Sequence, residues 1–339
     1  MTHQEFSRTE DYSKPSENIS KRPRNTAFKQ QTLAAYQPLY ELKSMTLMFF
    51  IACVVFNLLG TVSLVISNNV WEESLDYTNC IDVSSGLQCT ANATNVSCTC
   101  LVNLKVDRDI VETIFVYYKL SNFHQNHRRY VKSRDSNQLL GSKVDNLSDN
   151  CNPFKVDSNG TPIAPCGAIA NSIFNDTFEV SGVSISRKNI AWNSDHEGKF
   201  NNPEPVNDLK KAFSDFSKPP HWSERVEELE ASDPDNNGYK NEALQVWMRT
   251  SPFPTFRKLY GRLDHGLSQG IYNVSISYNY PVVNGTKMII FSTVSFLGGK
   301  NSLVGISCII AGFVSLLTGL ILLVAIKYRP RYLDIRFLN

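Results

Sequence analysis

Two long stretches without a charged side chain constrain this chain more than any other feature. Residues 45–67 number 23 and residues 301–326 number 26, and neither stretch contains Asp, Glu, Lys or Arg. An α-helix rises about 1.5 Å per residue, so about 20 apolar residues cross the ~30 Å hydrocarbon core of a membrane. We therefore predict two transmembrane helices. Buried core helices of a soluble protein are the alternative, disfavoured because such helices are seldom this long without charge.

The average composition conceals these stretches. The chain is 42% hydrophobic and 19% charged, with a formal net charge of +2. A chain this neutral lacks the electrostatic footprint of a nucleic-acid-binding protein. Its 19 Phe and 14 Tyr exclude a disordered chain, and eight Cys are too few for a mini-protein held by disulfides alone.

The distribution of basic residues predicts the topology. Basic residues are more frequent on one side of each stretch: Arg22, Arg24, Lys29 and Lys43 precede the first, and Lys327, Arg329, Arg331 and Arg336 follow the second, against Lys287 and Lys300 in the twenty residues before it. Residues 68–87 contain no Lys or Arg. By the positive-inside rule both termini are cytosolic. The predicted segments are a cytosolic arm (1–44), a first transmembrane helix kept as a signal anchor (45–67), an exoplasmic domain (68–301), a second transmembrane helix (302–326) and a cytosolic tail (327–339).

Cysteine positions agree with this topology. Cys53 and Cys308 lie inside the predicted spans, and the other six lie in the exoplasmic domain: Cys80, Cys89, Cys98, Cys100, Cys151 and Cys166. An even number of cysteines in an oxidising compartment predicts disulfides. The cluster of four allows three connectivities.

Glycosylation sequons show the same bias. Seven sequons begin in the exoplasmic domain, at Asn92, Asn95, Asn146, Asn159, Asn175, Asn273 and Asn284. Only Asn18 lies elsewhere, on the side where glycosylation does not occur. Charge, cysteine and sequon placement therefore predict one orientation.

Alternating apolar and polar residues predict a mainly-β exoplasmic domain. Residues 272–278 have the period of a half-buried strand, which places Asn273 on the solvent face. Residues 288–296 follow an Asn-Gly turn and are predicted to pair with that strand as a hairpin. Residues 109–120, rich in β-branched and aromatic side chains, are a third strand candidate.

A proline-rich segment interrupts this pattern. Residues 199–240 contain five prolines and little periodicity. We predict a long irregular insertion lying on the sheet, with one short helix at residues 207–213.

Four short motifs suggest chemistry, and we reject each one. GLSQG (266–270) matches a nucleophile elbow, but the predicted strand follows the serine instead of preceding it, which favours a plain turn. DPDNNG (233–238) copies the first half of a calcium loop, but Leu244 stands where a bidentate carboxylate is needed. A polar turn is therefore favoured, with weak calcium binding as the alternative.

The remaining two motifs are weaker. His124 and His127 have no third ligand nearby, which favours hydrogen-bonded structural histidines over a metal site. Residues 298–300 imitate the end of a phosphate loop without its first glycine. We therefore predict no catalytic residue, no metal and no cofactor.

The second apolar stretch carries a face of small residues. Gly305, Gly312 and Gly319 recur every seven residues. Such faces allow close helix packing. Two readings remain open: the face packs on the first span, or helices of a partner protein dock there.

Several runs match a known family, in the family's order along the chain. The runs are NTAFKQQ (25–31), NFHQNHRRYVKSRD (122–135), PIAPCGAIANSIFNDTF (162–178), DPDNNG (233–238), VWMRT (246–250), PTFRKLYGR (254–262), YNYPV (278–282) and GGKN (298–301). In these runs the sequence resembles the cell-division-control protein 50 family, as a divergent vertebrate-like paralogue. Members of that family are the β-subunits of type IV P-type ATPases, which flip phospholipids.

The resemblance implies a fold and a set of sites. The fold is an antiparallel β-sandwich with long loop insertions between two transmembrane helices. The implied disulfides are Cys80–Cys100 and Cys89–Cys98, which are nested, and Cys151–Cys166. Asn175 and Asn273 become the favoured glycan positions among the seven. The implied cytosolic contact with the partner is made around Asn25, Phe28, Lys29 and Gln30.

The resemblance also implies a function. The chain would be a non-catalytic accessory subunit that forms a heterodimer with the catalytic α-subunit in contact with membrane lipids. It would help that subunit to fold, to leave the endoplasmic reticulum and to run its transport cycle, and so support aminophospholipid translocation. The expected locations are the endoplasmic reticulum, Golgi, secretory vesicles and plasma membrane.

Two other classes of protein share parts of this pattern. A two-span ligand-gated channel subunit has cytosolic termini and a disulfide-bonded ectodomain, but here the spans offer only scattered polar residues such as Asn57, Thr61, Ser307 and Thr318. A glycosylated adhesion or receptor protein is the third class. The 13 residues after Ile326 make a poor signalling tail.

Overall fold

A computed structural model describes residues 24–33, 41–89, 98–142 and 146–328 of the protein. The chain forms two compact units, Met1–Ala52 with Ser315–Asn339 and Cys53–Val314. The α-helices in the described residues are α1 (Leu42–Asn69), α2 (Arg128–Lys132), α3 (Ser136–Leu139), α4 (Ala168–Asn171), α5 (Asn193–His196), α6 (Leu209–Ala212), α7 (Glu242–Met248) and α8 (Leu303–Tyr328). The strands are β1 (Glu72–Asp76), β2 (Cys98–Val106), β3 (Ile114–Leu120), β4 (Thr177–Val180), β5 (Phe256–Leu263), β6 (Gly270–Tyr278) and β7 (Lys287–Ser292).

Helices α1 and α8 coincide with the two uncharged stretches. Both are long and apolar enough to cross a membrane. Only 6% of the most apolar window of α1 and 11% of that of α8 is buried within the protein. A core helix of a soluble protein is mostly buried, so the exposed side chains favour two membrane-spanning helices.

The seven strands of the described residues form two antiparallel sheets. One sheet has the order β1-β7-β3-β5 and the other has the order β2-β6-β4. In β3 the side chains alternate between buried and half-buried, and Val116, Tyr118 and Leu120 point into the core. Val274 and Ile276 of β6 belong to the same cluster of buried residues, so both sheets cover one core. The mainly-β ectodomain between two apolar helices is therefore confirmed.

The predicted hairpin between β6 and β7 is wrong. Strand β6 pairs with β2 and β4, whereas β7 pairs with β1 and β3 in the other sheet. The Asp176 carboxylate accepts hydrogen bonds of 2.6 Å from the backbone N–H groups of Asn279 and Tyr280, directly after β6 ends. These bonds fix the chain where it leaves one sheet for the other, a contact between distant residues that no local pattern encodes.

The proline-rich insertion contributes to the core. Helix α6 lies within the predicted residues 207–213, and three 3-10 turns follow it. Phe213, Trp222 and Tyr239 are buried in the same cluster as the sheets. Trp222 Nε1 donates a hydrogen bond of 2.7 Å to the carbonyl of Ala170. Large aromatic side chains thus anchor a segment that lacks regular backbone bonding.

Candidate partner-binding and modification sites

Three disulfides fasten the ectodomain. They join Cys80 to Cys100, Cys89 to Cys98 and Cys151 to Cys166, the pairs that the resemblance implies. Cys98 and Cys100 lie at the start of β2. Sulfur atoms of Cys80, Cys89 and Cys100 lie within 4.8 Å of one another, but all three are consumed by disulfides, so this cluster is not a metal site.

Seven sequons lie in the predicted exoplasmic domain, and five of their asparagines are in the described residues, all exposed: Asn146, Asn159, Asn175, Asn273 and Asn284. Asn92 and Asn95 lie outside the described residues. Asn273 is on β6 opposite Asn103 of β2, with its side chain on the solvent face as the alternation predicts. These positions can accept a glycan without disturbing the core.

In the predicted cytosolic arm, 1–44, the structure describes residues 41–44, where α1 begins, and residues 24–33, which contain a turn. Asn25, Phe28, Lys29 and Gln30 are all exposed, and the Phe28 ring is 76% exposed. The turn is closed by the N–H of Gln30, which donates to the Thr26 carbonyl at 2.9 Å. An exposed aromatic ring on a short turn has the form of an anchor for a protein partner.

The glycine face of α8 packs against α1. A Cβ atom added to Gly312 would lie 2.3 Å from Asn57 Nδ2, and one added to Gly305 would lie 2.6 Å from Leu64 Cγ. Gly319 and Phe50 belong to the other compact unit, Met1–Ala52 with Ser315–Asn339. There a Cβ atom added to Gly319 would lie 3.4 Å from the Phe50 ring. All three glycines are buried. These contacts favour the first of the two readings, in which the face packs on the first span.

Polar side chains inside the spans bond to their own helix. Asn57 Nδ2 donates to the Cys53 carbonyl at 2.8 Å, and Thr61 Oγ1 donates to the Asn57 carbonyl at 2.8 Å. Ser307 Oγ donates to the Val304 carbonyl at 2.9 Å. These bonds satisfy the polar groups within the helices, an arrangement that disfavours a channel lined by them.

The calcium-like motif is a structural turn. Asn236 Oδ1 accepts the N–H of Glu242 at 2.8 Å. Asn237 Oδ1 accepts the N–H of Gly238 at 2.9 Å, and Asp233 forms an ion pair with Lys188. These oxygens are engaged by the protein itself, which supports the polar turn over a cation loop.

The other rejected motifs also take structural positions. Ser268 of GLSQG is exposed and is followed directly by β6, so the geometry of a nucleophile elbow is not formed there. Gly266 of the same motif has φ of +63° and packs on the Ile110 carbonyl, which explains its identity. His124 and His127 are both exposed.

A buried ion pair connects two of the runs that match the family, PIAPCGAIANSIFNDTF and YNYPV. Lys287 Nζ is 2.8 Å from Asp176 Oδ2 and donates at 2.8 Å to the Tyr280 carbonyl. The Tyr77 hydroxyl also donates to Asp176 Oδ2, at 2.9 Å. The Lys287 ammonium lies 3.0 Å from the centre of the Tyr278 ring. Burial lowers the pKa of Lys287 to about 8, against the opposing attraction of Asp176.

A second buried lysine, Lys258 of β5, caps the C-terminus of α7. Lys258 Nζ donates to the carbonyls of Trp247 at 2.6 Å, Arg249 at 2.9 Å and Val246 at 3.2 Å, at the C-terminus of α7. Carbonyls at a helix end lack intrahelical partners, so this ammonium satisfies them. Burial lowers the pKa of Lys258 well below its ordinary value. The Lys258 side chain therefore joins its own run, PTFRKLYGR, to the VWMRT run.

A groove beside α5 and α7 was not predicted from the sequence. It comprises two adjoining cavities of about 290 and 810 Å³ that share Asp195, Gln245, Arg249 and Thr250. Arg249 Nε is 3.0 Å from Asp195 Oδ2, and its guanidinium lies 5.0 Å from the centre of the exposed Trp192 ring. Arg249 belongs to the VWMRT run, but the run alone does not reveal a groove.

These features define a class of protein: two apolar helices that pack through a glycine face, joined by a disulfide-bonded ectodomain of two antiparallel sheets. Residues 63–332 match the LEM3 (ligand-effect modulator 3) family / CDC50 family. The chain belongs to this family.

Its relatives match over most of their length. The chain is 44% identical over 333 residues to cell cycle control protein 50A of Mus musculus, covering 91% of each chain. It is 40% identical over 334 residues to cell cycle control protein 50B of Homo sapiens, covering 91% of this chain and 95% of the relative. It is also 38% identical over 324 residues to ALA-interacting subunit 3 of Arabidopsis thaliana, covering 93% and 89%.

Proposed function

We propose that this protein is a non-catalytic accessory subunit of a type IV P-type ATPase that moves phospholipids between membrane leaflets. Family membership across residues 63–332 carries the proposal. The Arabidopsis relative is named as an interacting subunit, which supports a role in assembly with another protein.

The arrangement of the polar groups supports an accessory role. The buried ion pair, the capped end of α7 and the DPDNNG turn all use their charged or polar atoms to hold loops together. The disulfides fasten the same ectodomain. A domain built in this way presents a fixed surface, which suits a subunit that stabilises a partner and supports its transport cycle.

The proposed complex is a heterodimer with the catalytic α-subunit. Both termini of this chain are cytosolic, and the turn that presents Phe28 contacts the cytosolic side of the partner. The ectodomain covers the partner's exoplasmic loops and carries glycans, with Asn175 and Asn273 the favoured positions. The complex leaves the endoplasmic reticulum for the Golgi, secretory vesicles and plasma membrane, where it translocates aminophospholipids.

Co-expression tests this function. The chain is produced with a type IV P-type ATPase α-subunit in cells lacking their own accessory subunits, and a cation-transporting P-type ATPase serves as the control partner. We expect the chain to co-purify with the first partner alone, and both proteins to leave the endoplasmic reticulum only when expressed together. A chain that leaves the endoplasmic reticulum unaided and recovers no type IV α-subunit would contradict the proposal.

A further inference from the structure

A tight turn after β7 presents two large apolar side chains to the outside. Ser295 and Gly298 exchange backbone hydrogen bonds of 2.9 Å, and Gly298 has φ of +102°, which glycine adopts without strain. Between them, Phe296 is 84% exposed and Leu297 is also exposed. Exposing a phenyl ring in water has a free-energy cost, and here the backbone bonds hold the ring in that position.

This turn is fixed beside the ends of both apolar helices. The backbone N–H of Thr293 donates to the Trp71 carbonyl at 2.9 Å, just after α1 ends. The backbone N–H of Asn301 donates to Ser67 Oγ at 2.9 Å, just before α8 begins. The residues on both sides of the turn are therefore bonded to the end of α1.

A second loop at the same place, residues 107–113, also exposes one apolar side chain. Arg108 Nη2 donates at 3.1 Å to the carbonyl of Asn69, the last residue of α1. Three residues later Val111 is 85% exposed. Both loops carry charged side chains: the exposed Lys300 follows the first, and the second has Arg108 together with the exposed acids Asp107, Asp109 and Glu112.

The turn before β7 also exposes an apolar side chain, at the other end of the strand from Phe296. Val283 is 78% exposed in the turn before that strand. Strand β7 has six residues, so it separates Val283 from Phe296 by about 20 Å at ~3.3 Å per residue. Of the two turns that flank β7, the one with Phe296 adjoins the helix ends.

We propose that Phe296, Leu297 and Val111 insert into the lipid leaflet on the ectodomain side of the membrane. The chain enters α8 at Leu303, so the turn is continuous with a membrane-spanning segment. Aromatic and apolar side chains are favoured at the headgroup boundary, where neighbouring Arg and Lys side chains reach the lipid phosphates. The insertion holds the ectodomain at a fixed height on the lipid surface and does not depend on an ATPase partner.

Tryptophan scanning of the full chain tests this interaction. Phe296→Trp and Val111→Trp variants are placed in phosphatidylcholine nanodiscs whose acyl chains are either plain or brominated. Val283→Trp is the matched control. The fluorescence of the parent chain, which has four Trp, is subtracted, and circular dichroism checks that every variant folds like the parent.

Bromine quenches tryptophan on contact, so the added emission reports insertion. We expect brominated lipid to reduce the added emission of Phe296→Trp and Val111→Trp at least ~1.5-fold, and to leave that of Val283→Trp unchanged. Emission from Phe296→Trp that is quenched no more than that of Val283→Trp overturns the proposal and leaves the turn as a surface for a protein partner.

Discussion

Lys287 Nζ lies 2.8 Å from Asp176 Oδ2, and both side chains have no exposed surface. Asp176 also accepts the N–H groups of Asn279 and Tyr280, and Lys287 donates to the Tyr280 carbonyl. This pair therefore joins β7 to the segment before β4 and to the segment after β6. A buried charge is tolerated only when its partners satisfy it, and here each charge has several.

Lys287→Met is expected to destabilise the ectodomain by about 3–5 kcal/mol, because it removes the amine that bonds to Asp176 and to the Tyr280 carbonyl and leaves both buried acceptors without that partner. The matched control is Lys155→Met, since Lys155 pairs at 2.7 Å with Asp149, whose side chain is 89% exposed. The Lys155 side chain is 18% exposed, but its carboxylate partner lies in solvent, and such a pair contributes about 0–1 kcal/mol. The measurement is the free energy of unfolding in denaturant, and equal losses in the two variants would show that the buried pair has no special role.

Stability should rise between pH 8 and pH 10. Burial lowers the pKa of Lys287 from 10.5 to about 8, so between these values the unfolded chain holds a proton that the folded chain has lost. The free energy of unfolding then increases with pH, by up to about 3 kcal/mol for a shift of roughly 2.5 pKa units. Burial lowers the pKa of Lys258 as well, in the same direction.

Above pH 10 the free energy of unfolding should fall as the pH rises. Burial raises the pKa of Tyr77 and Tyr118 well above 10, so the unfolded chain loses protons that the folded chain keeps. Denaturant midpoints measured from pH 7.5 to 11.5 on thiol-blocked protein should therefore pass through a maximum near pH 10. The Lys287→Met variant should show a smaller rise, and a midpoint that falls steadily from pH 8 would refute this assignment.

Enlarging Gly312 should separate α1 from α8. A Cβ atom at this position already lies 2.3 Å from Asn57 Nδ2, so Gly312→Leu forces the helices apart. Val304→Leu is the control, because Val304 is exposed on α8. We expect the Gly312 variant alone to lose thermal stability in detergent in the absence of any partner. A Gly312 variant as stable as the control, but unable to recover an α-subunit, would favour the reading in which partner helices dock there.

Exoplasmic glycosylation gives a direct test of orientation. Asn175→Gln and Asn273→Gln should each remove one glycan, because both asparagines are exposed and lie in sequons. Asn18→Gln should change nothing, since residue 18 belongs to the predicted cytosolic arm. Gel mobility with and without a glycosidase measures each loss, and a glycan at Asn18 would reverse the proposed topology.

The sequence predicts features that depend on composition or on short periods. The two apolar helices follow from uncharged stretches longer than a membrane is thick, and β6 follows from strict alternation between residues 272 and 278. In contrast, the chain that leaves β6 bonds to Asp176, about 100 residues earlier in the sequence. A local pattern that ends in a turn signal cannot reveal such a contact.

The candidate sites divide in the same way. Sequons and cysteines can be recognised from residue types alone. The spacing of Gly305, Gly312 and Gly319 shows that a small-residue face exists, but it does not show what covers that face, so two readings remain. The groove around Arg249 depends on side chains from separate segments, so no single run predicts it. The lipid-facing turn depends on the exposure of Phe296, which only the folded chain defines.

Phe28 is expected to anchor the cytosolic arm to the α-subunit. Its ring is 76% exposed in the described arm, and aromatic side chains dominate the binding energy of protein interfaces when a partner buries them. Phe28→Ala should therefore lower recovery of the co-expressed α-subunit about tenfold, which corresponds to ~1.4 kcal/mol. Leu33→Ala is the control, because Leu33 is an exposed apolar residue of the same arm outside the NTAFKQQ run. Ectodomain disulfides and glycans should be unchanged in both variants, so that a loss reports the cytosolic contact and not misfolding. Equal recovery by the two variants would remove Phe28 from the interface and leave assembly to the ectodomain and the helices.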